Sequence, residues 1–290
     1  MTNHLSFSGH ETFSCKTLWL KKGYDFVVNG GDFNAVSAVS DLGVGKNMVS
    51  SIRFWLKAFG ITGNDRPTTL GDRLFDENGW DPYCEDMSTL WLLHYSIVSL
   101  GIASIYNIVF TGLKRSKIEF TKTDLSNYIE MVCRQKSQLN AYNERTVNKD
   151  MGVFLQNYTY PVKAKSVEDY SNLLLNLGLI HNTKTKIAAN GTAEYLYQFD
   201  FKSLEDINQS VVLYALLDYS DKDVVLSNDK ISDLALIFCL SEDDFKTMLR
   251  NISKQYPDFV TYSDNSGIIN VGVNKDVDKF EVLDNYYRSL

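Results

Sequence analysis

The sequence predicts an α+β fold: mainly helix with small β hairpins, arranged as several winged-helix-like modules packed on a helical core. Three observations carry that expectation. Apolar residues recur at steps of three and four through most of the chain, the period of a half-buried helix. Glycines and Asn/Asp-rich turns cut those stretches into pairs. Short strand-like pieces around a turn follow three of the pairs. The expected boundaries are 1–113 (a first module plus buried helices), 114–200 (a second module) and 201–290 (an acidic third). A chain of 290 residues that is 44% hydrophobic and 22% charged has ample material for a buried core.

The first pair lies in "FNAVSAVSDLGVGKNMVSSIRFWLKAFGIT". Ala35, Ala38, Val39 and Leu42 share one helical face, and Gly43 interrupts them. Beyond the turn, Val49, Ile52, Leu56 and Phe59 form the apolar stripe of a second helix, closed by Gly60. Small residues before a glycine turn suit the steep packing of a helix-turn-helix. The opposite face carries Lys46, Ser50, Arg53 and Lys57, flanked by Asn47 and Phe54. In a major groove Arg forks onto guanine, Asn onto adenine, and Lys reaches phosphate; a solvated helix face carries the same residue types. A phosphate-binding loop does not fit the same segment. The GxxxxGK[ST] pattern fails at Ser40 and at Asn47, and no buried strand precedes the turn. No nucleotide is therefore expected.

"ITGNDRPTTLGDRLF" reads as a β-turn and small hairpin, a wing that would bring Arg66 and Arg73 near a backbone phosphate. From Met87 to Leu113 there is no Asp, Glu, Lys or Arg. That length matches a membrane span, but His94, Asn107, four serines and a central Gly101 read better as two buried helices broken near the glycine. In the second pair, Thr123 or Asp124 caps a helix containing Leu125, Tyr128, Ile129 and Val132. Val147, Met151, Phe154 and Leu155 mark its partner, with Arg145, Asn148 and Lys149 as further DNA-facing candidates. A helix ending at Gly178 and a hairpin follow. The third pair turns at Ser241 and leads to two strands around "SDNSG". Its acidic surroundings favour packing or protein contacts over DNA.

Net charge is −7 overall but segregated: +2 over residues 1–60, −5 over 61–110, +5 over 111–186 and −9 over 187–290. A nucleic-acid binder needs a basic face, not a basic chain. Cys15, Cys84, Cys133 and Cys239 stand far apart with no CxxC pair, and the four histidines are scattered, so neither zinc nor a disulfide framework is expected. The start of the chain lacks a basic stretch followed by an apolar run, so no signal peptide is expected and a cytoplasmic location fits.

Phosphodiester cleavage commonly uses Mg²⁺ or Mn²⁺ held by carboxylates. The densest acidic cluster is "DPYCED", with Asp81, Glu85 and Asp86 beside Asp76 and Glu77; acids there also suit the start of the helix from Met87. In "GHET", His10 and Glu11 offer a base or ligand, or simply a hydrogen-bonded loop histidine. No Ser-His-Asp order, GxSxG elbow or strand-borne GxGxxG appears.

Four stretches in this order, "FSGHETFSCKTLWLKKGYD", "LGVGKNMVSSIRFWLKAFGI", "TTLGDRLF" and "DPYCEDMSTLWLLHY", resemble the SspB-like proteins of bacterial DNA phosphorothioation (Ssp) defence systems. The likeness covers residues 7–95 closely and the rest mainly in length and module order. It implies a DNA-acting component that nicks double-stranded DNA in a metal-dependent way. It further implies sulfur-transfer partners and an ATPase of the same modification system. A regulator that binds DNA without chemistry, and an adaptor whose modules bind proteins, remain the alternatives.

Overall fold

The computed structural model describes residues 4–162, 164, 166–187, 193–265 and 268–290. The chain divides into two compact units, Met1–Asp200 and Phe201–Leu290. Both are helical with small antiparallel sheets, an α+β architecture.

The first unit opens with α1 (Trp19–Val28), α2 (Ala38–Leu42) and α3 (Lys46–Ala58). Gly43 ends α2 in the left-handed region at φ 59°, where a Cβ would be strained. Only five residues of the expected first helix are helical, because the preceding loop is held by the Asp32 side chain bonded to the Asn34 N–H. The stripe Val49, Ile52, Leu56 and Phe59 is buried as its spacing requires, and Trp55 is buried with it. Two short strands, β1 (Thr62–Gly63) and β2 (Arg66–Pro67), form a hairpin whose turn residues Asn64 and Asp65 have φ 52° and 56°. Two successive positive φ values are the signature of a two-residue turn matched to strand twist. Thr68 then caps α4 (Thr69–Phe75) by accepting from the Gly71 N–H.

The charge-free stretch folds as two buried helices, α5 (Met87–Leu100) and α6 (Ser104–Ser116), bent by 101° at a break that starts with left-handed Gly101. Every residue from Ser88 to Val98 is buried. Among the described residues no single helix is long and apolar enough to cross a membrane. The second pair is α7 (Lys122–Gln135) and α8 (Glu144–Tyr158). The cap of α7 is Thr121 rather than Thr123 or Asp124; Asp124 sits at the third position and closes a capping box onto the Thr121 N–H. The expected helix before Gly178 is only a 3₁₀ turn, Leu175–Leu177. Leu173, Leu174, Leu175, Leu177 and Leu179 are all buried, a run too continuous for one helical face. Strands β3 (Glu119–Phe120), β4 (Ile180–Ile187) and β5 (Ala193–Phe199) form an antiparallel sheet in the order β3–β5–β4.

The second unit starts with α9 (Gln209–Tyr219), buried along most of its length. It then repeats the same plan: β6 (Val225–Leu226), α10 (Asn228–Ile237), α11 (Glu242–Gln255), β7 (Val260–Asn265) and β8 (Ile268–Val273), with the sheet ordered β6–β8–β7. Ser241 caps α11 by accepting from the Asp244 N–H, and α12 (Glu281–Tyr287) follows. Strand–helix–helix–strand–strand with the first strand beside the last thus occurs twice in one chain. That internal repetition was only faintly visible in sequence, because β3 and β6 are two residues long.

Candidate nucleic-acid interface

Helix α3 presents two unlike faces, and the unlikeness follows from its 3.6-residue period. Inward stand Val49, Ile52, Trp55 and Leu56; outward, Lys46, Asn47, Ser50 and Lys57 are exposed. Among the described residues neither Lys46 nor Lys57 forms an ion pair, so both ammonium groups face solvent unneutralised. Arg66, on the hairpin that follows, is likewise exposed and outside any ion pair among the described residues. Arg145, Asn148 and Lys149 are exposed on the first two turns of α8.

Two expected contacts stand differently. Arg53 is half-buried and fully committed: Nε donates to Asp65 Oδ1 at 2.9 Å and Nη2 to Asp65 Oδ2 at 2.5 Å. Its Nη1 donates to Asn34 Oδ1 at 3.1 Å. The Asp65 hydrogen bonds raise the guanidinium further above its ordinary value, outweighing a small loss from burial. Arg73 lies half-buried with its guanidinium 5.7 Å from the Trp80 ring centre. Phe54, expected beside the cationic face, turns instead under the Gly9–His10 loop. A Cβ on Gly9 would stand 2.4 Å from the Phe54 ring, and Gly9 has φ +117°.

The "GHET" segment divides between interior and surface. His10 is buried, whereas Glu11 is exposed. His10 Nδ1 accepts from the Thr12 N–H at 3.1 Å, which leaves the ring proton on Nε2. Nε2 then donates to Asp150 Oδ1 at 2.6 Å. The imidazole stacks on Trp55 of α3, ring centres 6.0 Å apart and 16° from parallel. Burial pushes the Asp150 carboxyl up, and the His10 hydrogen bond pulls it back only in part. Its second oxygen, Oδ2, is buried without a hydrogen bond. A loop histidine thus joins α3 to α8. Both ring nitrogens are already engaged, which suits a positioning role better than proton transfer.

Asp81 is equally occupied: Oδ1 accepts from the Glu85 N–H at 3.0 Å and Oδ2 from the Asp86 N–H at 2.9 Å. Asp86 caps α5 by accepting from the Ser88 N–H. Glu85 points to solvent. These acids build a loop and a helix start. Among the described residues no group of three His, Cys, Asp or Glu side chains converges on a point where a metal ion would sit. All four cysteines are buried free thiols.

Missed at the level of sequence were Asp150 and Asp65. Asp150 stands 140 positions from its partner, yet it interrupts the apolar series Val147, Met151, Phe154 on the inward face of α8. An acid on an apolar stripe announces a buried partner. Asp65 is signalled by the turn itself, which brings residue 65 back over the middle of the preceding helix.

An α+β protein with an exposed cationic helix face beside a hairpin is the class these elements define. The chain belongs to the family described as protein of unknown function (DUF4007), whose model matches residues 7–287. It is similar to the crystal structure of magnesium ion-bound SspB, with TM-score 0.82 and 26% identity over 98% of this chain and 88% of that one. A second SspB crystal structure aligns over the same shares with TM-score 0.80 and 25% identity. Among curated proteins none matches the chain.

Proposed function

We propose that this protein is the DNA-binding component of a phosphorothioate DNA-modification system, gripping duplex DNA through α3 and its hairpin. The observation that carries the reading is the exposed, unneutralised row Lys46, Asn47, Ser50 and Lys57 on a helix that follows a glycine turn. The strand order repeated in both units is that of a winged helix, which supports α8, with Arg145, Asn148 and Lys149, as a second contact. The similarity to SspB supports partners that transfer sulfur and hydrolyse ATP in the same system.

Nicking assisted by Mg²⁺ or Mn²⁺ is a second reading, favoured by the magnesium ion bound in one SspB structure. The described residues do not preassemble a site for such an ion: the Asp81 oxygens are taken by backbone N–H groups, and both His10 nitrogens are engaged. The binding reading therefore stands apart from the nicking reading.

Duplex binding followed by fluorescence anisotropy over a salt series tests the first. Affinity should fall steeply with salt, and Lys46→Glu with Lys57→Glu should flatten the log–log slope by about 0.9 per lost phosphate contact. Salt-independent binding, or none, would leave a protein adaptor as the surviving reading, to be checked by pull-down with the sulfur-transfer partners. Conversion of supercoiled plasmid to open circle with Mg²⁺ or Mn²⁺ tests nicking. Without conversion, alone and with partners, the chain acts by binding only.

A further inference from the structure

The geometry points to Arg53 as a positioning residue that clamps the hairpin onto α3, not as a group that touches DNA; this rests on the duplex-binding reading. All three guanidinium nitrogens are engaged: two on the carboxylate of Asp65 at the hairpin turn, one on the Asn34 amide oxygen. The ring of Phe33 lies 5.9 Å from the guanidinium carbon. One side chain therefore ties the loop before α2, the middle of α3 and the tip of the hairpin together. A fork-on-fork pair fixes direction as well as distance, which a lysine cannot do.

The consequence concerns the neighbour. Arg66 follows Asp65 directly and is exposed outside any ion pair among the described residues. With two hairpin strands of two residues each, few ladder bonds hold the tip, so the clamp sets where Arg66 stands relative to Lys46 and Lys57. The clamp also removes Arg53 from the readout, which falls to Lys46, Asn47, Ser50, Lys57 and Arg66.

The test uses the full chain with Arg53→Ala, Arg53→Lys and Asp65→Asn, the last chosen because Asn tolerates the left-handed turn position. Amide hydrogen exchange is measured on residues 62–68, and duplex affinity on a salt series. A clamp predicts faster exchange in that segment for all three variants. For Arg53→Ala it also predicts about tenfold weaker binding. A slope flattened by about 0.9, with exchange as in the parent, would make Arg53 a phosphate ligand and overturn the inference. Absence of duplex binding by the parent chain would sink the proposed function alone, since the exchange measurement does not depend on DNA.

Discussion

Replacing His10 by Ala tests the interior on which the α3 surface is mounted. Among the described residues His10 supplies the only hydrogen bond to the Asp150 carboxyl, whose other oxygen has none. Removing one member of a buried pair costs about 3–5 kcal/mol, because a desolvated group is left without its partner. For a unit of this size that is a fall in Tm of roughly 6–20 °C, at about 2–4 °C per kcal/mol. Trp19, Trp55, Trp80 and Trp91 all lie in the first unit, and Trp55 stacks on His10, so a tryptophan-fluorescence melt reports that unit alone. The sign of the pH effect follows from Asp150. Its carboxyl is raised in the fold, so the native state holds that proton more tightly than the unfolded chain does. The group's contribution is then most favourable below the unfolded pKa of about 3.9 and is eroded as pH rises through the folded value. Without His10 the erosion deepens, so the deficit should grow as pH rises from below the unfolded pKa through the folded value. Adding Asp150→Ala should recover about 1–3 kcal/mol at pH 7 by removing the stranded carboxyl. A deficit below about 1 kcal/mol, or one that does not grow from acid to neutral pH, would refute the buried-pair account.

Four further outcomes are expected. Gly9→Ala forces a side chain into a glycine-only backbone region and onto the Phe54 ring, and should cost at least about 1–3 kcal/mol in the same melt; an unchanged Tm would show that the loop yields freely. Thr121→Ala should cost about 1 kcal/mol through loss of the α7 cap. Burial lifts its partner Asp124, but hydrogen bonds from Lys117 and Thr121 outweigh this and hold the carboxyl below its usual range. That contribution is present above about pH 4 and disappears as pH falls through the depressed value; an acid limb identical in an Asp124→Ala variant would contradict it. Burial pushes the Cys15, Cys84 and Cys133 thiols up. A thiol reagent should accordingly label the folded protein at those three positions only as fast as it opens, and immediate labelling of any of them would place that cysteine at the surface.

Periodicity found the elements that have a clear inside and outside. The α3 stripe, the turn at Gly43, the "NDRP" hairpin and the break at Gly101 follow from residues within a few positions of each other. Chain-distant pairing did not show. His10 is the hydrogen-bonded loop histidine that was one of its two readings, but nothing near it in sequence explains its burial, and its acid lies on α8. The Leu-rich run before Gly178 suggested a helix because periodicity cannot separate a helix from an irregular segment buried on all sides. The Arg53–Asp65 pair was hidden for a different reason: helical spacing says which way a side chain leaves the helix, not whether a carboxylate waits there.

The same strand order carries opposite charge in the two units. In the first unit the helix that follows α7 begins with Glu144 and Arg145, with Asn148 and Lys149 exposed one turn on; in the second, α11 begins with Glu242, Asp243 and Asp244. The backbone plan is common to both, so topology cannot choose the partner. Three carboxylates at a helix start suit the helix dipole, yet they repel a phosphate that would approach the same N–H groups. On the proposed duplex-binding reading a polyanion would be steered to the first unit although the chain carries a net charge of −7, because Lys46, Lys57, Arg145 and Lys149 stand outside any ion pair among the described residues, where α11 of the second unit presents acids. On that reading the local charge of these helices, rather than the sum over the sequence, is what selects the partner.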